Sequence, residues 1–275
     1  MSSSSFCHGA ECCNSVTIAE SIRIETLSSR VREVIDKAEA FLDLIAFLDL
    51  IRQARVTNLL NILQFAQQFV QNAQSILVDI RDGCEEEIEI TFPFGTFFLD
   101  DFERSYDGSP RYFPKTKNRF SVTPLILAAI EGRNNVLPVL LHFSDIDKQP
   151  KESGVTALFM ALLFGHAKTA TLLLDRGAHL RACGRNALHA AARSGLHDII
   201  TRLVTEFGVE PDVADGEGAT PILYSLQLPE ERAKATITRL CQLGASGDLD
   251  LVDDWTFKDI ARAMGKESLT LVFDA

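Results

Sequence analysis

Apolar residues recur every three or four positions along the amino-terminal part of the chain. The spacing is followed by Val31, Val34, Ala38, Phe41, Ile45 and Leu48, and again by Leu59, Leu63, Ala66, Val70, Ala73, Leu77 and Ile80. This alternation is typical of the apolar face of an α-helix. It is interrupted near residues 52–55, and Thr57 is placed to cap a second helix. We therefore predict helix over residues 16–81, as a long helical hairpin or as a coiled-coil strand that dimerises.

A tandem hexapeptide, AFLDLI, fills residues 40–45 and 46–51. A six-residue repeat does not fit a heptad, so apolar side chains must occupy more than one face of this helix. The sequence leaves two interpretations open. The helix packs on two sides within its own domain, or one side is a surface for oligomerisation or for a partner.

Residues 82–120 follow a different pattern. Ile88–Phe92 alternates apolar with polar side chains, which predicts a strand. Residues 93–95 are typical of a turn before a second strand-like run at 96–99, and residues 106–114 are predicted to be an extended, aromatic-rich loop. Residues 1–15 are Ser-rich and polar, and we expect them to be disordered.

Five short segments in the second half of the chain share a start pattern. They read TPLILAA from Thr123, TALFMAL from Thr156, NALHAAA from Asn186, TPILYSL from Thr220 and, in degenerate form, TFKDIAR from Thr256. The starts are 33, 30, 34 and 36 residues apart. Nine residues after the start, four of the segments carry a glycine, namely Gly132, Gly165, Gly195 and Gly265. A period of this length predicts a stacked repeat architecture.

These segments closely resemble the ankyrin family, whose repeats combine a TPLHxAA start, a mid-repeat glycine and an LLLxxGA close. The resemblance covers residues 121–275 and implies four to five stacked helix pairs. The residue chemistry agrees, because Thr can cap a helix, Pro suits its first position and Gly allows a left-handed turn after it. Since solenoid ends need covering, we expect residues 82–120 to cap the array, with a binding loop as the alternative.

Two units depart from the pattern. The third is about three residues short before Asn186, so we expect a stubby connecting finger. The fourth lacks the mid-repeat glycine and reads LPEER over residues 228–232. The proline predicts an early end to its first helix and a longer turn.

The resemblance also implies where a partner protein would bind. Contacts are expected from the residue before each start motif and from the two residues before the mid-repeat glycine. The candidate partner-binding residues are Val122, Ile130, Val155, Leu163, Phe164, Arg185, Arg193, Leu228 and Trp255. Apolar anchors beside arginine are common in interface hot spots. The alternative is that residues 82–120 fold back and bury this groove within the chain.

Composition narrows the class of partner. The chain has 275 residues and a net charge of −11, which argues against nucleic acid as a partner. The most apolar stretch, residues 41–51, is too short and too charged to span a membrane. No signal peptide is recognisable, so we expect an intracellular protein, cytoplasmic or nuclear, whose six cysteines are reduced.

The search for reactive chemistry yields little. The six histidines are scattered, and His166 and His189 sit at positions where the repeat pattern itself places histidine. Cys7, His8 and the pair 12–13 are a remote candidate for zinc, but a second ligand pair at finger-like spacing is missing. We therefore assign no catalytic residue, no metal and no cofactor, and regard an enzyme as the less favoured reading.

The sequence thus predicts a mostly α fold, an ankyrin-repeat α-solenoid of four to five repeats preceded by a long-helix hairpin or coiled coil and a short β-like connector. The expected segments are 1–15, 16–81, 82–120 and 121–275. The expected function is a non-enzymatic adaptor or regulator that binds a partner protein, with a homodimer through the amino-terminal helices as an option. An enzyme or accessory subunit that binds a small molecule in the groove, and a self-associating scaffold, are the alternatives.

Overall fold

The computed structural model describes residues 29–53, 59–92, 102–104, 110–112, 118–150, 154–182, 184–216, 218–247 and 256–274. Most of these residues are helical, as predicted. None of the described helices combines the length and the apolar character needed to cross a membrane.

The second half of the described chain consists of successive helix pairs. The inner helices are α3 (Pro124–Glu131), α5 (Ala157–Leu163), α7 (Ala187–Ser194), α9 (Pro221–Ser225) and α11 (Phe257–Ala263). Their outer partners are α4 (Leu137–Phe143), α6 (Ala167–Asp175), α8 (His197–Thr205), α10 (Glu230–Gln242) and a terminal 3₁₀ helix (Glu267–Asp274). From α3 to α9, each inner helix packs on the next inner helix along the chain.

The predicted helix ends are confirmed where the motif is strongest. The Ile126 N–H donates to Thr123 Oγ1 over 3.4 Å, so Thr123 caps α3. Gly132 follows the same helix with φ = +67°, the left-handed conformation that glycine adopts without a Cβ penalty. Leu125, Ala128 and the other apolar residues of α3 are buried, because they lie between the outer helix and the neighbouring pair.

Two long helices precede the array, α1 (Ser29–Gln53) and α2 (Leu59–Gly83). They run antiparallel, since Val34 lies beside Gly83 while Lys37 Nζ lies 2.9 Å from Asp79 Oδ2. A Cβ at Gly83 would stand 2.2 Å from Val34 Cγ2, so the helices approach too closely there for a larger residue. The predicted break near residues 52–55 and the cap at Thr57 fall mostly outside the described residues.

Among the side chains that the structure describes on α1 and α2, those buried in the seam lie at the end nearest the array. Val31, Val34 and Ala38 are buried on α1, and Ile80 is buried on α2. Further along, Ile45 is 40% exposed, and Val70 on α2 is 51% exposed. The heptad-like spacing therefore predicts the two helices, whereas their described side chains are tightly packed over only part of the length that they cover.

The first helix pair is covered by α1 and α2. Helix α1 packs against the inner helix α3, and α2 packs against the outer helix α4. Arg133 binds this junction together, with Nη1 3.2 Å from Glu39 Oε1 and Nε 2.7 Å from Glu131 Oε2. Sequence analysis gave the capping role to residues 82–120. In the structure the buried ends of α1 and α2 pack on the first helix pair and strand β4 of the connector leads into α3, while the capping role of residues 82–120 stays a prediction.

The described part of the connector contains four short strands. Strand β1 (Ile88–Phe92), predicted from its alternation, pairs antiparallel with β4 (Asn118–Val122). Strand β2 (Phe102–Arg104) pairs antiparallel with β3 (Pro110–Tyr112), so part of the predicted loop is a strand. The run at residues 96–99 lies outside the described residues.

The irregular repeats behave as their sequences predict. In the third unit the finger is a small hairpin, with β5 (Arg181–Ala182) paired to β6 (Arg185–Asn186). In the fourth unit, α9 stops after five residues, and Pro229 stands directly before α10. Because proline has no N–H to donate, it fits the first position of a new helix and not the interior of an old one.

Candidate interaction surface

The predicted partner-binding residues separate into two groups. Val122 and Val155 are 0% exposed, Ile130 is 3% exposed and Leu228 is 4% exposed. The half-buried group consists of Leu163, Phe164, Arg185 and Arg193. Trp255 lies outside the described residues. Among the candidates that the structure describes, therefore, only the second group offers side-chain surface to another molecule.

The ends of the inner helices are tied to one another from unit to unit. The last carbonyls of a helix lack partners within the helix and need donors from elsewhere. His166 Nε2 lies 2.7 Å from the carbonyl oxygen of Ile130, and Ser194 Oγ donates to the carbonyl of Leu163 over 2.8 Å. Arg232 donates to the carbonyl of Ser194, and Lys266 donates to the carbonyl of Leu228. Each unit thus supplies a hydrogen-bond donor to a carbonyl at or just after the end of the inner helix in the preceding unit.

These bonds hold a small mixed patch in place. Leu163 and Phe164 end α5 and pack at the edge of the core without being fully buried. Arg193, one unit along, donates from Nη1 to Gln227 Oε1, so its guanidinium is held beside the row of helix ends. Phe164 and Arg193 both take part in further contacts within the chain. The patch is therefore an apolar pair beside a fixed cation.

A buried polar cluster joins the third and fourth units. Tyr224 on α9 donates its hydroxyl proton to Asp215 Oδ2 over 2.7 Å, and Arg185 Nε donates to the Tyr224 hydroxyl over 2.6 Å. Asp215 Oδ1 accepts the backbone N–H of Ala219 over 2.9 Å. The Asp215 side chain is 1% exposed and that of Arg185 is 12% exposed. The cluster fixes the finger before α9 against the start of α7.

His189 makes the second connection between these units. Its Nε2 lies 3.0 Å from the carbonyl oxygen of Ala219, and its Nδ1 lies 3.0 Å from the backbone N–H of Asn186. These partners fit a neutral ring that donates from Nε2 and accepts at Nδ1. Burial lowers the pKa of His189, and burial likewise raises the pKa of Tyr224. Both groups are therefore neutral near pH 7 and engaged in the fold, as sequence analysis expects of His189.

Sequence reasoning missed Tyr224 and Asp215 as members of this cluster. Tyr224 lies inside the fourth start motif, where the spacing predicts only a helical residue. The available signal is a carboxylate five residues before Thr220, at the turn of a finger that is rich in glycine. A buried carboxylate needs donors, so this position indicates a polar network without naming its other members.

The described surface offers little else for ligand chemistry. A shallow acidic pocket is lined by Asp82, Glu85, Glu86 and Glu87, with Lys148 paired to Glu85. Within the described ranges, no group of three or more His, Cys, Asp or Glu side chains is arranged to hold a metal ion. The cysteine and histidine cluster near residues 7–13 lies outside those ranges.

Comparison with known families agrees with the helix pairs. A family model for three copies of the ankyrin repeat matches residues 107–182, and a model for a single ankyrin repeat matches residues 183–216. Residues 107–216 are ankyrin repeats. Beyond the matched residues, α9 packs with α10, and α11 packs with the 3₁₀ helix.

Two individual relatives align with about half of the chain. Neurogenic locus notch homolog protein 2 from Homo sapiens is 26% identical to this chain over 151 residues, and the Mus musculus protein matches equally. The alignment covers 48% of this chain and 6% of the notch protein. The chain therefore spans only a small fraction of the length of these relatives.

Proposed function

We propose that this chain is a non-enzymatic adaptor or regulator, an ankyrin-repeat solenoid that binds a partner protein through its concave face and fingers. Ankyrin repeats generally mediate protein–protein interaction, and the matched repeats bring that expectation to residues 107–216. The observation that carries the proposal is the patch of Leu163, Phe164 and Arg193 at the ends of the inner helices. Apolar anchors beside an arginine are the composition that interface hot spots favour.

The competing proposal is an enzyme or accessory subunit that binds a small molecule in the groove. An accessible pocket lined by side chains with perturbed pKa values would favour it. Among the described residues, His189 and Tyr224 have shifted pKa values, and both side chains are buried and bonded to the fold. Their environment supports a structural role, so we rank the adaptor first.

We also propose an intracellular setting and a self-association surface on α1 and α2. The net charge of −11 argues against a nucleic-acid partner.

The self-association surface is suggested by exposed apolar residues on α1 and α2, namely Ile45, Val70 and Val78. A second copy that covered them would bury these three apolar side chains. Sedimentation velocity across a hundredfold range of concentration tests this, with Val70→Gln expected to weaken the dimer and an unchanging monomer contradicting it.

The principal test compares two double variants of the full chain. Leu163→Ala/Phe164→Ala removes the apolar anchors, and Phe207→Ala/Leu271→Ala removes exposed apolar side chains that lie after α8 and in the 3₁₀ helix. Affinity capture from native cells with quantitative mass spectrometry identifies proteins that bind wild type. Binding of a purified candidate is then measured by calorimetry.

We expect the anchor variant to lose at least tenfold in affinity and the control variant to match wild type, as hot-spot truncations typically do. Circular dichroism must first establish that both variants fold. Equal affinity of all three proteins would rule out the patch as the recognition surface.

A further inference from the structure

Helix α2 exposes a face that carries no charge. Charged residues make up 24% of the chain, yet none occurs in the sequence of residues 56–78. In the described part of that stretch, Gln71, Gln74 and Ser75 are exposed, and Val78 is 44% exposed. Their spacing of three, one and three residues places all four on one face of the helix. We call these four residues the uncharged face.

The other side of α2 is already engaged within the chain. Helix α2 packs against α1, and Ile80 is buried in the core. Ile76, one turn before it, is partly buried against the same core. The uncharged face therefore points away from the seam between the two helices.

The polar side chains of the uncharged face are available for bonding. Gln68 Nε2 donates to Asn72 Oδ1 over 3.0 Å, so these two neighbouring amides satisfy each other along the helix. Within the described part of the chain, Gln71, Gln74 and Ser75 have no side-chain hydrogen bond of this kind. An amide both donates and accepts, so two copies of one amide can bond to each other. Two identical ionised side chains cannot.

Charged residues return on both sides of this face. Glu33 and Asp36 are exposed on α1, and Asp79 and Asp82 are exposed at the array end of α2. The whole chain has a net charge of −11. Two copies of an acidic chain repel each other, and the repulsion is smallest where the meeting surfaces are uncharged. A two-fold axis brings the same patch of both copies together, so a self-complementary, uncharged patch suits a second copy of this chain.

We propose that a second copy of this chain docks on the uncharged face of α2 through its own uncharged face. The proposal narrows the self-association surface of the preceding section to one face of one helix, and it rests on that proposed function. In the pair, Val78 supplies apolar contact, while Gln71 and Gln74 donate to and accept from the other copy. Depletion of charge is the composition expected at the core of an interface.

The test uses three double variants of the full chain. Gln71→Glu/Gln74→Glu and Gln71→Lys/Gln74→Lys place charges of opposite sign on the uncharged face. Asn135→Asp/Gln242→Glu is the matched control, because these residues are exposed, lie outside α1 and α2, and add the same charge as the Glu variant. Sedimentation velocity over a hundredfold range of concentration at low ionic strength measures the dissociation constant of the dimer. A dye on the Lys variant identifies mixed dimers, and circular dichroism checks that each variant folds.

The Glu variant and the Lys variant should each raise the dissociation constant at least tenfold, because like charges then meet across the two-fold axis. The control should match wild type. An equimolar mixture of the Glu and Lys variants should form a mixed dimer at least tenfold tighter than either variant forms alone.

Equal dimerisation of wild type and the Glu variant, or the absence of a mixed dimer, would overturn the proposal. If Val70→Gln nevertheless weakens the dimer, self-association on α1 and α2 stands and only its assignment to the uncharged face fails. A wild-type chain that stays monomeric at every concentration would overturn the self-association itself.

Discussion

In the third helix pair, α7 runs for eight residues and ends at Gly195, which has φ = +63° and turns the chain directly into α8. In the fourth pair, α9 runs for only five residues, and a turn over residues 226–228 precedes Pro229 and the 13-residue helix α10. Both pairs stack in the same rows. In the fourth pair a longer outer helix, α10, compensates for a shorter inner helix, α9. The third and fourth pairs therefore use a similar number of residues, divided differently between the two helices.

The difference shows that stacking, and not one turn motif, sets the geometry of a unit. A glycine in the left-handed conformation lets the chain reverse direction within a short turn after a helix. Where it is absent, Arg232 on α10 donates to the carbonyl of Ser194 and Leu228 packs beside Gly195. Side chains of the irregular fourth unit therefore contact the end of α7 in the regular third unit. The following predictions test how far the two units depend on each other.

The largest effect is expected at Gly195. An added Cβ would stand 3.2 Å from Leu228 Cδ1 and 3.3 Å from Arg232 Nη2, and L residues disfavour a positive φ. Gly195→Ala should lower the free energy of unfolding by about 2–3 kcal/mol, which combines the left-handed penalty with crowding of the fourth unit. Urea denaturation followed by circular dichroism measures this loss.

Gly165→Ala is the matched control, because Gly165 has φ = +77° but an added Cβ would meet nothing within 4 Å. The free energy of unfolding of this variant should fall only by the cost of the left-handed backbone conformation for an L residue, about 1–2 kcal/mol. Equal losses at both positions would mean that the fourth unit adjusts freely around Gly195. In that case the dependence between the units is weaker than their contacts suggest.

The caps and glycines of the regular units were predictable because each depends on residues within one turn of helix. Thr123 and Gly132 are such a case, because the motif itself contains the residues that begin and end the helix. The contact of β3 with α11 was not predictable in that way, because neither segment carries a local signal for a partner about 145 residues distant. The same holds for Arg185, whose assignment to a partner surface could not reveal its bond to Tyr224.

The second prediction concerns Tyr224, the residue of the fourth unit that reaches back to the third. Tyr224→Phe removes the proton donor to Asp215 and the acceptor of Arg185 while keeping the ring. The free energy of unfolding should fall by about 1–3 kcal/mol, because a buried carboxylate loses one of its donors. Urea denaturation measures the change.

If Tyr224→Phe were as stable as wild type, Arg185 would have to replace Tyr224 as a donor to Asp215, beside the backbone N–H of Ala219. Its Nε already lies 3.7 Å from Asp215 Oδ2, so that outcome would identify the direct ion pair as the stronger bond.

The third prediction concerns the pH dependence of the free energy of unfolding, to which His189 contributes at the contact between the third and fourth units. Burial lowers the pKa of His189 below its usual value in the folded chain, so the unfolded chain binds this proton more readily. Stability contributed by the neutral ring is therefore present above the unfolded pKa of about 6.5 and is lost as pH falls below it, by at most about 1.4 kcal/mol per pH unit. Urea denaturation between pH 5 and pH 8 measures the slope, and His189→Gln should flatten it. An equal slope in that variant would assign the pH dependence to other groups.

The smallest effect is expected at the two helix starts. Asn186 accepts the Leu188 N–H over 3.0 Å and forms a capping box with His189, whereas the hydroxyl of Thr220 is buried without a partner. Asn186→Ala should lower the free energy of unfolding by about 1 kcal/mol, as loss of a cap does. Thr220→Val keeps the shape of the side chain and removes an unpaired polar atom, so stability should stay the same or rise slightly. Equal destabilisation by both changes would show that Thr220 caps α9 after all. The third and fourth units would then share a start mechanism, and their difference would be confined to the turn at Gly195.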